Sequence, residues 1–139
     1  MTKKISLIIN LNQNVQYDKT LYSILVNKYR FNEIIIMNKN SNENLKPYKK
    51  NIIKQIKYIV SKVNKNNINV FFLYYIDFLD VHLPKNYIST FDTKISFKNI
   101  YNILNTINKY SKCIWVFNTN ILIHNSFKYG YLTNNSNIK

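Results

Sequence analysis

The chain has one glycine, one cysteine and two prolines in 139 residues. Gly130 alone cannot build a phosphate-cradling loop, because such loops need several glycines at fixed spacing. Cys113 alone excludes an intramolecular disulfide, and no Cys/His cluster has zinc spacing. Flanked by Ile114 and Trp115, it reads as a small buried hydrophobe rather than a reactive thiol. Acid is scarce: Asp plus Glu number 6 against 20 Lys plus Arg, a formal charge of +14. Long apolar runs are also missing. "VFFLYYIDFLDV" (70–81) is interrupted by Asp77 and Asp80 and falls short of the roughly 20 residues of a membrane helix. The opening "MTKKISLIINLNQN" has an apolar run cut by Asn10 and no small-residue cleavage site after it. A soluble protein with no removable presequence is therefore expected.

What is present can fill a core. Hydrophobic residues make up 46% of the chain, and the length suits one domain. A charge of +14 opposes compaction by self-repulsion unless anions lie nearby. Nucleic acid and acidic membrane surface are the natural anionic partners. A+T-rich codons, which favour Asn, Lys, Ile, Tyr and Phe, give the same lysine abundance without a functional cause.

Three β-rich runs come first: "KISLIINL" (4–11), "TLYSILVN" (20–27) and "FNEIIIMN" (31–38). Asn, Asp and Lys fill the connections, so the pattern predicts a short antiparallel meander. "NKNSNENLK" (38–46) reads as a polar loop. Pro47 stands where a first helical turn would start. Ile52, Ile53, Ile56, Ile59, Val60 and Val63 then recur at helical spacing. Lys49, Lys50, Lys54, Lys57, Lys62 and Lys65 lie mostly off that stripe, either solvated or laid along phosphates. "INVFFLYY" (68–75) has the pattern of a strand buried on both faces. Residues 76–95 read as irregular. Phe97, Ile100, Tyr101, Ile103, Leu104, Ile107 and Tyr110 predict a second helix, and "KCIWVFNTNILI" (112–123) a last strand. The expected order is βββαβαβ, an α/β fold with a mixed sheet and helices packed against it.

The search for chemistry finds one cluster, Asp77, Asp80 and His82. No further ligand completes a metal site with it, so it reads as a polar excursion between core elements. Neither a metal nor another cofactor is expected.

Two resemblances follow from the motifs. "ISLIIN", a helix-like "DKTLYSIL" and "NEIIIMNKNS" resemble the opening of a family-two glycosyltransferase, where a β-α-β start binds the sugar nucleotide. "FLYYIDFLDVHLPKNYI" looks like the segment carrying that family's metal-binding Asp-x-Asp. However, Tyr75-Ile76-Asp77 lacks the first aspartate, and about half of the usual domain is absent. The second resemblance covers nearly the whole chain. A last strand running through Leu122 into His124-Asn125, with Ser126 in place of the family's glycine and then Lys128, resembles universal small-subunit ribosomal protein eleven. Tyr17-Asp18-Lys19-Thr20 looks like that family's Phe-Asn-Asn-Thr, Lys46-Pro47-Tyr48 like its Thr-Pro-Phe, and Ile103-Leu104-Asn105 like its Ala-Leu-Asn. The glycines that family carries after its third and fourth strands are absent here.

The ribosomal resemblance implies an RNase H-like three-layer domain over 1–125, with 76–95 as an insertion and 126–139 as a basic aromatic tail. It implies a structural constituent of the small ribosomal subunit that supports translation from a mitochondrial or plastid ribosome and is not an enzyme. Its partners would be small-subunit rRNA on the platform near the mRNA exit channel and neighbouring ribosomal proteins, with no membrane and no small-molecule substrate. RNA-binding residues would be Lys19, Thr20, Lys46, Lys49, Lys50, Lys54, His124, Asn125, Lys128, Tyr129 and Tyr131. His124 and Asn125 would touch RNA or cap the strand. Tyr129 and Tyr131 would stack on bases or pack on neighbouring proteins. The alternative is a degenerate glycosyltransferase-like domain that binds a sugar nucleotide.

Overall fold

A computed structural model describes residues 2–77, 86–118 and 130–133. Strand β1 (Lys4–Asn10) leads into helix α1 (Gln16–Asn27) and strand β2 (Glu33–Met37). A 3₁₀ turn (Glu43–Leu45) precedes helix α2 (Lys49–Asn66) and strand β3 (Val70–Ile76). A hairpin of β4 (Tyr87–Ser89) and β5 (Lys94–Ser96) runs into helix α3 (Phe97–Leu104), then β6 (Lys112–Asn118) and β7 (Gly130–Thr133). The main sheet has the order β2-β1-β3-β6-β7, and every pairing in it is parallel.

Several expectations change. Residues 20–27 are helix, not strand, and β1 pairs with β2 in parallel, so the opening is β-α-β and not an antiparallel meander. Parallel neighbours need a crossover, and α1 is that crossover. Part of the 76–95 segment is ordered: β4 and β5 pair antiparallel, with Ile88 and Ile95 fully buried. Gly130–Thr133, read as trailing tail, pairs with β6 instead. Asp80, His82, Ile121 to Ile123, His124, Asn125, Lys128, Tyr129 and the end of the tail at Lys139 lie outside the described residues.

Strand parity builds the core, since alternate side chains share a face. The registers align Ile5 with Phe71, Leu7 with Leu73 and Trp115, and Ile9 with Tyr75 and Phe117. This face carries the main cluster, closed by Ile52, Ile56, Ile59, Val60 and Val63 of α2 and by Phe97, Ile100 and Leu104 of α3. Phe97 meets Trp115 and Phe117 edge-on at centroid distances of 5.3 and 4.9 Å, a favoured aromatic geometry. Ile8, Leu25 and Ile76 are buried outside that cluster, on the opposite face, which α1 covers.

Helix α2 borrows its cap. Its N-cap Tyr48 offers no side-chain bond. Instead the Lys49 amide donates to Oδ1 of Asp92 at 3.0 Å, from the turn between β4 and β5. Thr90 Oγ1 donates to the same oxygen at 2.8 Å. At the other end Asn67 takes φ 52°, ψ 47°, a left-handed stop that asparagine tolerates.

The cap makes a prediction. Asp92→Ala should cost about 0.5–2 kcal/mol, the range for a lost N-cap. The Lys49 amide holds the Asp92 carboxyl below its ordinary 3.8. The charged cap therefore contributes above pH 3.8 and is lost as pH falls through the lowered value. Denaturation midpoints of wild type and variant should differ at pH 7 and converge in strong acid.

Candidate functional site

The sheet has a topological switch point. From β1 the chain turns to β2 through α1 on one face. From β3 it turns to β6, and α3 packs on the other face. Ligands of open α/β sheets sit outside the carboxyl ends of strands where such connections diverge. That place is bounded by Asn10 at the end of β1, the residues just after β2, Asp77 just after β3 and Asn118 at the end of β6.

Polar side chains concentrate there despite burial. Asn10 is fully buried, Asp18 is 2% exposed and Asp77 is 2% exposed. Asp18 enters from the first turn of α1, where a carboxylate suits the helix dipole. Nδ2 of Asn38 donates to Asp18 Oδ2 at 2.7 Å. Asn38 is fixed in turn, because its amide donates to Ser41 Oγ at 3.0 Å and its Oδ1 accepts from the Asn40 amide at 2.8 Å. Asn10 holds the next loop: Oδ1 accepts from the Asn12 amide at 2.8 Å, and Nδ2 donates to the Asn14 carbonyl at 3.1 Å. A cleft of about 450 Å³ opens beside this group, lined by Asp18, Lys19, Tyr22, Asn38 and Ser41 among others.

On the β3 side, the Tyr75 hydroxyl donates to the Ser89 carbonyl at 2.8 Å. Burial, then the Asp77 charge, pushes the Tyr75 phenol well above its ordinary value. The Asp77 amide donates to the Asn118 carbonyl at 3.0 Å and carries the ladder one step beyond the strands.

Three buried polar side-chain atoms have no hydrogen-bond partner among the described residues: Asp18 Oδ1, Ser89 Oγ and Asn118 Oδ1. All three sit at or beside the carboxyl edge. Native interiors pair nearly all such atoms. Two of the three accept only, so they call for N–H or O–H donors. Asn10 biases the Asp18 charge but makes no bond of proper geometry with Oδ1.

Among the described residues, those expected to bind RNA do not converge. Lys19 and Thr20 are exposed on α1. Lys46 is tied to Glu43 at 3.3 Å. Lys49, Lys50 and Lys54 are exposed on α2, on the other side of the sheet from α1. Tyr131 lies in β7. The sequence reading missed Asn10, Asn38, Ser89 and Asn118, and took Asp18 only as part of a motif. One signal was present: an asparagine directly follows the apolar run of three separate strands. The thiol of Cys113 is pushed up to about 12 by burial, so it is no nucleophile at neutral pH. Among the described residues no group of three His, Cys, Asp or Glu side chains is placed to hold a metal ion. No helix among them is long and apolar enough to cross a membrane. No protein-family model and no curated protein matches the chain.

Asp18 generates a pH prediction. Burial raises its carboxyl above the ordinary 3.8, with the Asn38 and Asn10 amides pulling the other way. The folded state then holds the proton more tightly than the unfolded one, so stability falls as pH rises from 3.8 through the raised value. Asp18→Asn keeps an oxygen for Asn38 and removes the buried charge. It should raise the melting temperature at pH 7, and the gain should shrink as pH approaches 4. A melting series from pH 4 to 8 reads this directly.

Proposed function

We propose that this chain is a nucleotide-binding α/β domain similar to the donor half of a family-two glycosyltransferase, holding a sugar nucleotide at the carboxyl edge of its parallel sheet. One observation carries the reading: two buried acceptors with no partner among the described residues, Asp18 Oδ1 and Asn118 Oδ1, lie at the switch-point edge of a β-α-β opening. Base amides and the hydroxyls of ribose and sugar are the donors such oxygens accept. Phosphate offers acceptors only, and Lys19 at the mouth of the cleft is the cation for it. Asn38 orients Asp18 through its hydrogen bond to Oδ2.

The same resemblance brings a divalent metal, and the described residues do not fit one. Asp77 is the lone carboxylate at the end of β3, and Asp80 and His82 lie outside the described residues. The reading is therefore binding without glycosyl transfer, and no step is routed through a metal. The RNase H-like order and the ribosomal role have less support. Their second strand is a helix, and their antiparallel meander is a parallel pair. The charge of +14 is what still favours rRNA, while the platform neighbours and the organelle rest on the resemblance alone.

Calorimetric titration with uridine- and guanosine-diphosphate sugars, with and without manganese, tests the proposal. Saturable binding of one of them is expected, unaffected by chelator. Asp18→Asn should weaken it about tenfold, the loss of one good hydrogen bond. No saturable binding at millimolar ligand, or equal affinity in wild type and Asp18→Asn, would sink the reading.

A further inference from the structure

Away from the sheet edge, α2 presents a second surface. Its aliphatic residues pack on the core, and Lys50, Lys54, Lys57 and Lys65 are exposed. At 100° per residue they fall within about 80° of arc and run about 22 Å along the helix. No carboxylate among the described residues balances them. Glu33 pairs with Lys62 and Glu43 with Lys46. Asp92 is bonded to the α2 amino terminus, and Asp18 and Asp77 are buried. The remaining acid, Asp80, lies outside the described residues. Tyr58, 51% exposed, flanks the row, with the Lys62 ammonium 5.9 Å from its ring centre.

We propose that this face of α2 docks single-stranded nucleic acid, with the four lysines on phosphates along the strand and Tyr58 under an unpaired base. Charge complementarity selects an anionic partner. Two observations separate a nucleic acid from an anionic membrane. The row has no exposed aliphatic side chain to enter a bilayer, since Ile52, Ile56, Ile59, Val60 and Val63 are buried. It does have an aromatic ring beside the cations, the pairing by which single strands are held without sequence preference. A second copy of the chain is disfavoured by its own +14 charge. This surface is separate from the proposed nucleotide edge and does not depend on it.

The experiment uses the full chain and a fluorescent uridine 20-mer, with affinity read between 50 and 200 mM salt. Four phosphate contacts give a log–log slope of about −2.8 on the single-strand scale, or about 50-fold weaker binding across that range. Replacing Lys50, Lys54, Lys57 and Lys65 with Gln should flatten the slope by about that amount. A control with the same charge change elsewhere, Lys3, Lys28, Lys109 and Lys112 to Gln, should keep most of it. Tyr58→Ala should weaken binding severalfold with the slope unchanged. Melting curves establish that each variant is folded. Equal losses in the two lysine variants would mean bulk charge and overturn the site. So would tighter binding to phosphatidylserine vesicles that the 20-mer fails to displace. A saturating sugar nucleotide should leave 20-mer affinity unchanged, which keeps this result distinct from that of the sheet edge.

Discussion

The in-register parallel pairing of β1 with β3 is the constraint on which the rest depends. It runs from Lys4↔Val70 to Asn10↔Ile76 without a bulge. Because side chains alternate, this register alone decides which residues meet α2 and α3. A slip of β3 by one would send Leu73 to the α1 face and bring Phe72 into the helix layer while Leu7 stayed in the core. Ser6 reinforces the register, since its Oγ donates to the Phe72 carbonyl at 2.9 Å. The same pairing brings Asn10 and, through β6, Asn118 into one row at the carboxyl edge. The core and the candidate site are thus two consequences of one alignment.

What the sequence disclosed follows from how completely each element is buried on one side. Helix α2 was legible because its stripe is deep: Ile52, Ile56, Ile59 and Val63 are all at 0% exposure. Strand β3 was legible as a continuous apolar run because helices lie on both faces of the sheet. Helix α1 was not. Only Asp18 and Leu25 are buried on it, while Tyr17, Tyr22 and Ile24 stay exposed. "TLYSILVN" therefore carries no clean 3.6-residue stripe, and its Ile, Val and Tyr push the reading toward strand. That one misreading turned β-α-β into a meander.

The candidate site was less legible than the fold, for a chemical reason. Asn10, Asn38 and Asn118 are members of a very abundant residue type in this chain, and asparagine after an apolar run reads first as a turn former. Only the tertiary structure separates an asparagine that shapes a loop from one buried with an unpaired oxygen. Asp18 was masked differently. A carboxylate in the first turn of a helix is ordinary, and nothing local shows that it is desolvated. The lysines present the opposite case: they were easy to see, but seeing them did not show which are neutralised.

That distinction bears on the charge itself. A+T-rich codon composition would account for how many lysines and asparagines the chain has. It does not account for where the few acids stand. Glu33 and Glu43 each hold a lysine, Asp92 caps a helix, and Asp18 and Asp77 are buried at the edge of the sheet. Among the described residues each acid serves a local structural or site role, and none is left to dilute the surface field. The outer face of α2 is then a row of like charges at helical spacing, an arrangement that works against the helix carrying it. Five inward aliphatic residues outweigh that repulsion, because their burial is worth far more than the few tenths of a kcal/mol that each exposed like-charge pair costs. The strength of the α2 packing is what permits its surface to stay cationic.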